Sequence, residues 1–188
     1  MRKLRLQPGE SLAIFGPGPA GLIPVQLARL WDAGPVILCG TRQDRLELGR
    51  RLGADFAIDV TREAPAEKIR ELTGGAGVDA GFEAAGTPAA VLDLLASLRP
   101  QGRAVLYGLH GRAIPEFPVD QIVLKDLTVH AALPDRTGWP DLIELVASGA
   151  LDLASLITHR LPLERAAEAI ALLRRRDPGA VKAVLLVS

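Results

Sequence analysis

At 188 residues the chain has the length of one domain, or of one domain with a small appendage, and its 48% hydrophobic content is enough to bury a core. Its 22 basic residues balance 22 acidic ones, which argues against nucleic acid or an anionic membrane surface as the main partner. A single cysteine, Cys39, excludes an internal disulfide framework and a thiolate zinc cluster, so a reduced, cytoplasmic setting is expected; no apolar run is long enough to span a membrane.

In chain order, the basic start Met1 to Arg5 is followed by Pro8-Gly9 and an apolar stretch too short for a signal-peptide core. Residues 11–15 read as a buried strand closed by a Gly-rich turn. Residues 20–31 read as a helix in which Ile23, Leu27 and Leu30, at i, i+4 and i+7, form much of the apolar side, stopped by Ala33-Gly34-Pro35. Strands follow at 35–39, 56–58, 78–84, 103–107 and 127–132, separated by helices at 44–52, 64–72 and 88–98. Continuous apolar strands alternating with helices imply a doubly wound α/β fold, a six-stranded parallel sheet covered on both faces. From about residue 136 the pattern changes to a helix at 140–148, an extended stretch at 156–161, a helix at 163–175 and a closing strand at 181–187. The expected organisation is a domain over 1–135 and a small C-terminal α/β extension over 136–188.

Gly16-Pro17-Gly18-Pro19-Ala20-Gly21 is a G-x-G-x-x-G set between the first strand and the first helix. Gly16 would make the tight turn, Gly18 would let the backbone approach a pyrophosphate, and Gly21 would let the helix pack closely on the sheet. The helix start adds free N–H groups and its positive dipole end. Alone the motif is weak; in the first βα turn it points to a dinucleotide.

The acid expected at the end of the second strand, which would hold the ribose hydroxyls of NAD, is missing. Cys39-Gly40-Thr41-Arg42 stands there, with room at Gly40, a hydroxyl on Thr41 and a phosphate-matching fork on Arg42. NADP is therefore favoured, with NAD as the alternative. Asp44 reads as a helix cap or an N-terminal dipole partner, and Arg45 as a residue that stacks on the adenine or reaches the ribose, or else as a solvated helix face.

Ordered blocks carry a resemblance: Leu6-Gln7-Pro8-Gly9-Glu10, the turn Gly16 to Gly21, Leu52-Gly53-Ala54-Asp55, Gly77-Val78-Asp79 with Phe82-Glu83-Ala84-Ala85-Gly86, Gly102 through Leu109, Leu156 through Leu163, and Val181-Lys182-Ala183-Val184. In this order they resemble the medium-chain dehydrogenase superfamily, in its zinc-type alcohol, sorbitol and threonine dehydrogenase branch, over nearly the whole chain. The resemblance implies that Gly18, Pro19 and Ala20 line the pyrophosphate and that Gly40, Thr41, Arg42 and Arg45 surround the adenosine ribose. It implies that Ala84 and Ala85 border the cofactor, that Tyr107, Gly108, Leu109 and Leu133 lie on the nicotinamide side, and that Lys182 reaches the pyrophosphate. It also implies a homodimer joined through the edge of strand six, from Leu127 to Leu133, which carries few charges.

The family's N-terminal lobe supplies the catalytic zinc ligands, a Cys, a His and a carboxylate. None of that lobe is among these residues. His110, His130 and His159 are widely spaced and lack partnering thiolates, so no metal site and no catalytic acid or base is expected here, and zinc belongs to the other lobe. The expectation is a dinucleotide-binding domain that is inert by itself. A non-catalytic module or redox sensor, one subunit of a split dehydrogenase, and more remotely a methyltransferase using S-adenosylmethionine remain as alternatives.

Overall fold

The computed structural model describes residues 1–111, 113–115, 117–133, 138–175 and 177–187. Its first compact unit, Met1–Trp139, is built on one parallel sheet. The strands are β1 (Leu12–Phe15), β2 (Val36–Gly40), β3 (Phe56–Asp59), β4 (Val78–Glu83), β5 (Leu98–Leu106) and β6 (Thr128–Ala131). They run in the order β3-β2-β1-β4-β5-β6, every pair parallel. The helices are α1 (Pro19–Leu30), α2 (Gln43–Arg51), α3 (Pro65–Leu72), α4 (Pro88–Ser97) and α5 (Val119–Leu124).

Both faces of the central strands are covered, which is why β1 and β2 are apolar at successive positions and not at alternate ones. Ala13, Phe15, Ile37 and Cys39 pack with Ile69, Val91, Leu94 and Leu95 from α3 and α4. On the other face, a Cβ added at Gly21 of α1 would lie 3.3 Å from the Ile14 side chain, and one at Gly49 of α2 would lie 2.1 Å from that of Leu38. Each fully buried Leu or Ile here contributes about 1.5–3 kcal/mol relative to exposure. Burial pushes the Cys39 thiol far above its ordinary pKa, so it behaves as a small apolar side chain.

The expected stripe on the first helix needs correction. Leu27 is buried, but Ile23 is half-buried and Leu30 exposed; Leu22, Val25 and Ala28 complete the buried side. The close approach at Gly21 sets the face, so Gly21, Val25 and Ala28 follow the i, i+4, i+7 phase in place of the bulkier trio. The fourth helix ends at Ser97, and Leu98 already pairs with Val78 in β5, which resumes beside β4 at Arg103 after an irregularity. Pro100 disfavours helical backbone at Arg99, and the Arg99 guanidinium is held by Asp79 at 2.7 Å. Helix α5 was not expected. It is only six residues long, and its Val119, Val123 and Leu124 are exposed, leaving Ile122 to pack on the core, so it shows no amphipathic pattern.

Two polar ties fix the frame. Asp79 accepts from the Ser11 amide (2.8 Å) and hydroxyl (2.6 Å) as well as from Arg99, joining the entries of β1 and β4. Burial acts to raise the Asp79 pKa, but the hydrogen bonds from Ser11 and Arg99 outweigh it and hold the carboxyl below its ordinary range. Lys125 Nζ donates to the carbonyls of Leu95, Ala96 and Leu98 at 2.8–3.2 Å, closing the C-terminus of α4.

The second compact unit, Pro140–Ser188, carries nearly all of α6 (Trp139–Ala147), together with β7 (Ile157–Pro162), α7 (Ala166–Arg175) and β8 (Lys182–Leu186). Strands β7 and β8 form a parallel two-stranded sheet, so the extended stretch and closing strand expected there pair with each other. The expected boundary at 135/136 lies outside the described residues. Ile143, Ile170, Leu186 and Val187 are exposed.

Candidate functional site

The strand order reverses between β1 and β4, and the turns that leave their carboxyl ends flank the place where open α/β sheets bind ligands. The Gly16 amide donates to the Cys39 carbonyl at 2.9 Å, and Gly16 has φ +109°, a conformation that favours glycine. An added Cβ would also stand 2.7 Å from the Ala85 nitrogen, so the first turn lies directly against the turn after β4. Gly18 is the N-cap of α1, and its carbonyl accepts from the amides of Gly21 (2.9 Å) and Leu22 (2.8 Å). Pro19 takes the first helical position, where a missing N–H is harmless, and Ala20 follows, half-buried. Gly21 is sterically required, since a Cβ there would lie 2.0 Å from the Gly16 carbonyl oxygen.

Gly18 is different. Its φ of −87° is ordinary, and the nearest atom to an added Cβ is Arg45 Nη1, 3.9 Å away. The main chain at the start of α1 therefore faces open space bordered by a guanidinium. A bare turn, a helix start and a cation together fit the diphosphate of a dinucleotide. Pro17 and Pro19 bracket this glycine.

The turn after β2 joins the same place. Pro17 Cδ would lie 2.3 Å from a Cβ on Gly40, so the two turns interlock. Thr41 is exposed. Arg42 occupies the N-cap position of α2 and is paired with Asp44, Nε to Oδ1 at 3.1 Å and Nη2 to Oδ2 at 2.7 Å. Asp44 thus lies in the first turn of α2, where its charge meets the dipole, but it is not the cap; its carboxylate orients the Arg42 fork.

Beyond β4, the Ala84 amide donates to the Phe15 carbonyl at 2.8 Å, and Ala84 is half-buried while Ala85 is exposed. Beyond β5, the Tyr107 amide donates to the Glu83 carbonyl at 2.9 Å, and its ring stacks on Phe82 with centroids 5.8 Å apart. Gly108 follows, then Leu109, 86% exposed; Leu133, after β6, is 77% exposed. Lys182, exposed at the start of β8, belongs to the second unit, where its amide donates to Thr158 Oγ1. The turns after β1, β2, β4 and β5 therefore share the carboxyl edge of the sheet.

One residue the sequence reading passed over is Glu83. It is fully buried, and its carboxylate accepts from the amides of Ala85 (2.8 Å), Gly86 (2.7 Å) and Gly108 (3.2 Å). The signal was an acid ending an apolar central strand, where a charge survives only with dedicated donors. His110 Nε2 approaches the same carboxylate at 4.0 Å. Among the described residues, no three His, Cys, Asp or Glu side chains are grouped to hold a metal ion, and no helix is long and apolar enough to cross a membrane.

Residues 19–148 match the family described as zinc-binding dehydrogenase. The chain is 33% identical over 168 residues to a sorbitol dehydrogenase of Bacillus subtilis, covering 89% of this chain and 48% of that protein. It is 36% identical over 180 residues to an L-threonine 3-dehydrogenase of Bacillus velezensis, covering 92% of this chain and 50% of that protein. Among solved structures, the alcohol dehydrogenase TADH from Thermus sp. ATN1 superposes with a TM-score of 0.90 at 32% identity, over 100% of this chain and 54% of its own. The chain spans about half the length of the curated relatives it matches. With the strand order, the glycine turn and these likenesses in agreement, the chain belongs to the zinc-binding dehydrogenase family.

Proposed function

We propose that residues 1–135 are the nicotinamide-dinucleotide-binding domain of a zinc-type alcohol or polyol dehydrogenase, and that residues 136–188 are the segment returning to the catalytic lobe of such an enzyme. The observation that carries the reading is the bare main chain at Gly18, opening α1 beside Arg45 where the strand order reverses. The exposed Ile143, Ile170 and Leu186 support a returning segment with an apolar partner. Gly18, Pro19 and Ala20 line the pyrophosphate, with Gly16 making the tight turn and Gly21 seating α1 on the sheet. Gly40, Thr41, Arg42 and Arg45 take the adenosine ribose. Ala84, Ala85, Tyr107, Gly108, Leu109 and Leu133 border the nicotinamide side.

The reaction assigned to the whole enzyme is hydride transfer between an alcohol carbon and the nicotinamide ring, with zinc held by the other lobe as Lewis acid. The names of the sorbitol and threonine relatives support an alcohol substrate. The residues here bind and orient the cofactor; by themselves they turn over no alcohol. NADP is favoured over NAD because Gly40-Thr41-Arg42 offers a guanidinium where an acid would hold the free ribose hydroxyl. The setting is the cytoplasm, in keeping with the buried, unpaired Cys39. Strand β6, last in the sheet and exposed at Thr128 and Ala131, joins two copies through the edge from Leu127 to Leu133.

Calorimetric titration of the chain with NADPH and with NADH tests the reading. Saturable binding with NADPH tighter is expected. Failure of both to bind sinks the assignment; NADH binding as tightly as NADPH sinks only the preference.

A further inference from the structure

We infer that Glu83 is a positioning residue for the nicotinamide half of the cofactor, an inference that rests on the dinucleotide reading above. Its two carboxylate oxygens serve different turns. Oε1 accepts from Ala85 and Gly86, in the turn after β4, and Oε2 accepts from Gly108, in the turn after β5. Nothing else about the strand requires a charge there, and a fully buried carboxylate is tolerated only because these amides replace its water.

The spacing it sets is tight. A Cβ at Gly108 would stand 2.4 Å from the Gly86 nitrogen and 2.6 Å from Glu83 Oε2, and one at Gly86 would stand 3.0 Å from the Leu109 carbonyl oxygen. The two turns thus pass each other backbone to backbone, with the carboxylate between them and the Glu83 carbonyl accepting from the Tyr107 and Gly108 amides as well. They carry Ala85, Tyr107 and Leu109, whose side chains border the nicotinamide in the proposed site. The adenosine half lies on the turns after β1 and β2, neither of which donates a hydrogen bond to the Glu83 carboxylate, although the first packs against Ala85 at Gly16. Removing the charge should therefore separate the two halves of binding.

In Glu83→Gln one acceptor becomes an NH2 that must face a backbone N–H; the turn after β4, held at Ala85 and Gly86 through Oε1, is the one released, because Gly108 keeps a second bond to the Glu83 carbonyl at 3.2 Å. Wild-type chain is expected to bind NADPH, with enhanced fluorescence of the reduced ring, and 2′,5′-ADP, which carries only the adenosine ribose and its phosphates. E83Q should bind 2′,5′-ADP within about twofold of wild type, yet lose roughly tenfold or more in NADPH affinity, together with the fluorescence enhancement. Equal weakening toward both probes, or no weakening toward either, overturns the inference. Wild type that binds neither these probes nor NADH overturns the underlying cofactor reading, and this one with it; if only NADH binds, the same comparison is read with NADH and 5′-AMP.

Amide exchange on the unaltered chain gives the check should E83Q fail to fold. The Ala85, Gly86 and Gly108 amides should exchange together, slower than that of Leu109, and NADPH but not 2′,5′-ADP should slow them further. Exchange at open-loop rates, or equal protection by both probes, overturns the inference.

Discussion

Gly18→Ala isolates the chemistry of the first turn from its architecture. The φ of −87° at Gly18 suits any residue, and the added methyl would meet nothing nearer than Arg45 Nη1 at 3.9 Å. Alanine is a poorer N-cap than glycine by about 0.5–1 kcal/mol. The loss of chain freedom in the unfolded state returns about 0.4–1 kcal/mol. These nearly cancel, so the midpoint of thermal unfolding should move by no more than about 2 °C. Binding should respond quite differently. The methyl would stand where a diphosphate must approach the main chain, and forfeiting one charge-assisted amide contact costs about 1.5–3 kcal/mol, or roughly 10- to 150-fold in affinity. The assay pairs a thermal melt with calorimetric titration by NADPH. An alanine variant that melts like wild type and binds NADPH within about twofold of it would refute the placement of the diphosphate over this turn.

Gly16→Ala should do the reverse. With φ at +109° and the Ala85 nitrogen 2.7 Å from the new Cβ, a loss of about 1–3 kcal/mol is expected in urea denaturation; an unchanged midpoint would contradict it. Asp44→Asn removes the carboxylate that holds Arg42 at 2.7 Å and should raise the ratio of NADPH to NADH affinity several-fold, whereas Arg42→Ala should abolish the preference; parallel titrations decide. Asp79 is held below its ordinary pKa in the folded chain. Its stabilisation is thus full above the unfolded carboxyl range of about 4 and is lost as pH falls through the lower folded value. Asp79→Asn should therefore lose stability at pH 6 but less, relative to wild type, at pH 2–3, as urea melts across that range will test. Replacing Lys125 by Met strips the donor from the last carbonyls of α4, at a cost of about 1 kcal/mol in the same melts.

Much of the architecture was legible because its signals are local. Apolar runs such as Leu12 to Phe15 and Val36 to Cys39 can be satisfied only by a sheet covered on both faces, and Gly16 to Gly21 fixes which strand comes first. What escaped left no periodic or motif-level trace in the sequence. Helix α5 has too few turns to show a period, and Leu98 became strand because Arg99 meets Asp79. In α1 the phase was misjudged because side-chain bulk was weighed without the close approach at Gly21. At the candidate site, the glycines could be named from the motif, but Glu83 could not be assigned a task until the turns after β4 and β5 were seen to converge on it. The pairing of Arg42 with Asp44 was equally invisible, since two residues so close in sequence read as independent side chains until α2 begins between them.

The prolines on either side of Gly18 have a thermodynamic consequence. Each ring fixes one φ angle near −65°, and Pro17 is wedged against Gly40. The segment that would wrap a ligand's phosphates has little conformational freedom left to surrender, so a ligand seated there is received by a rigid rim and not by a loop that must first settle. Calorimetry would register this as a small entropic penalty, and the association rate should carry no slow ordering phase.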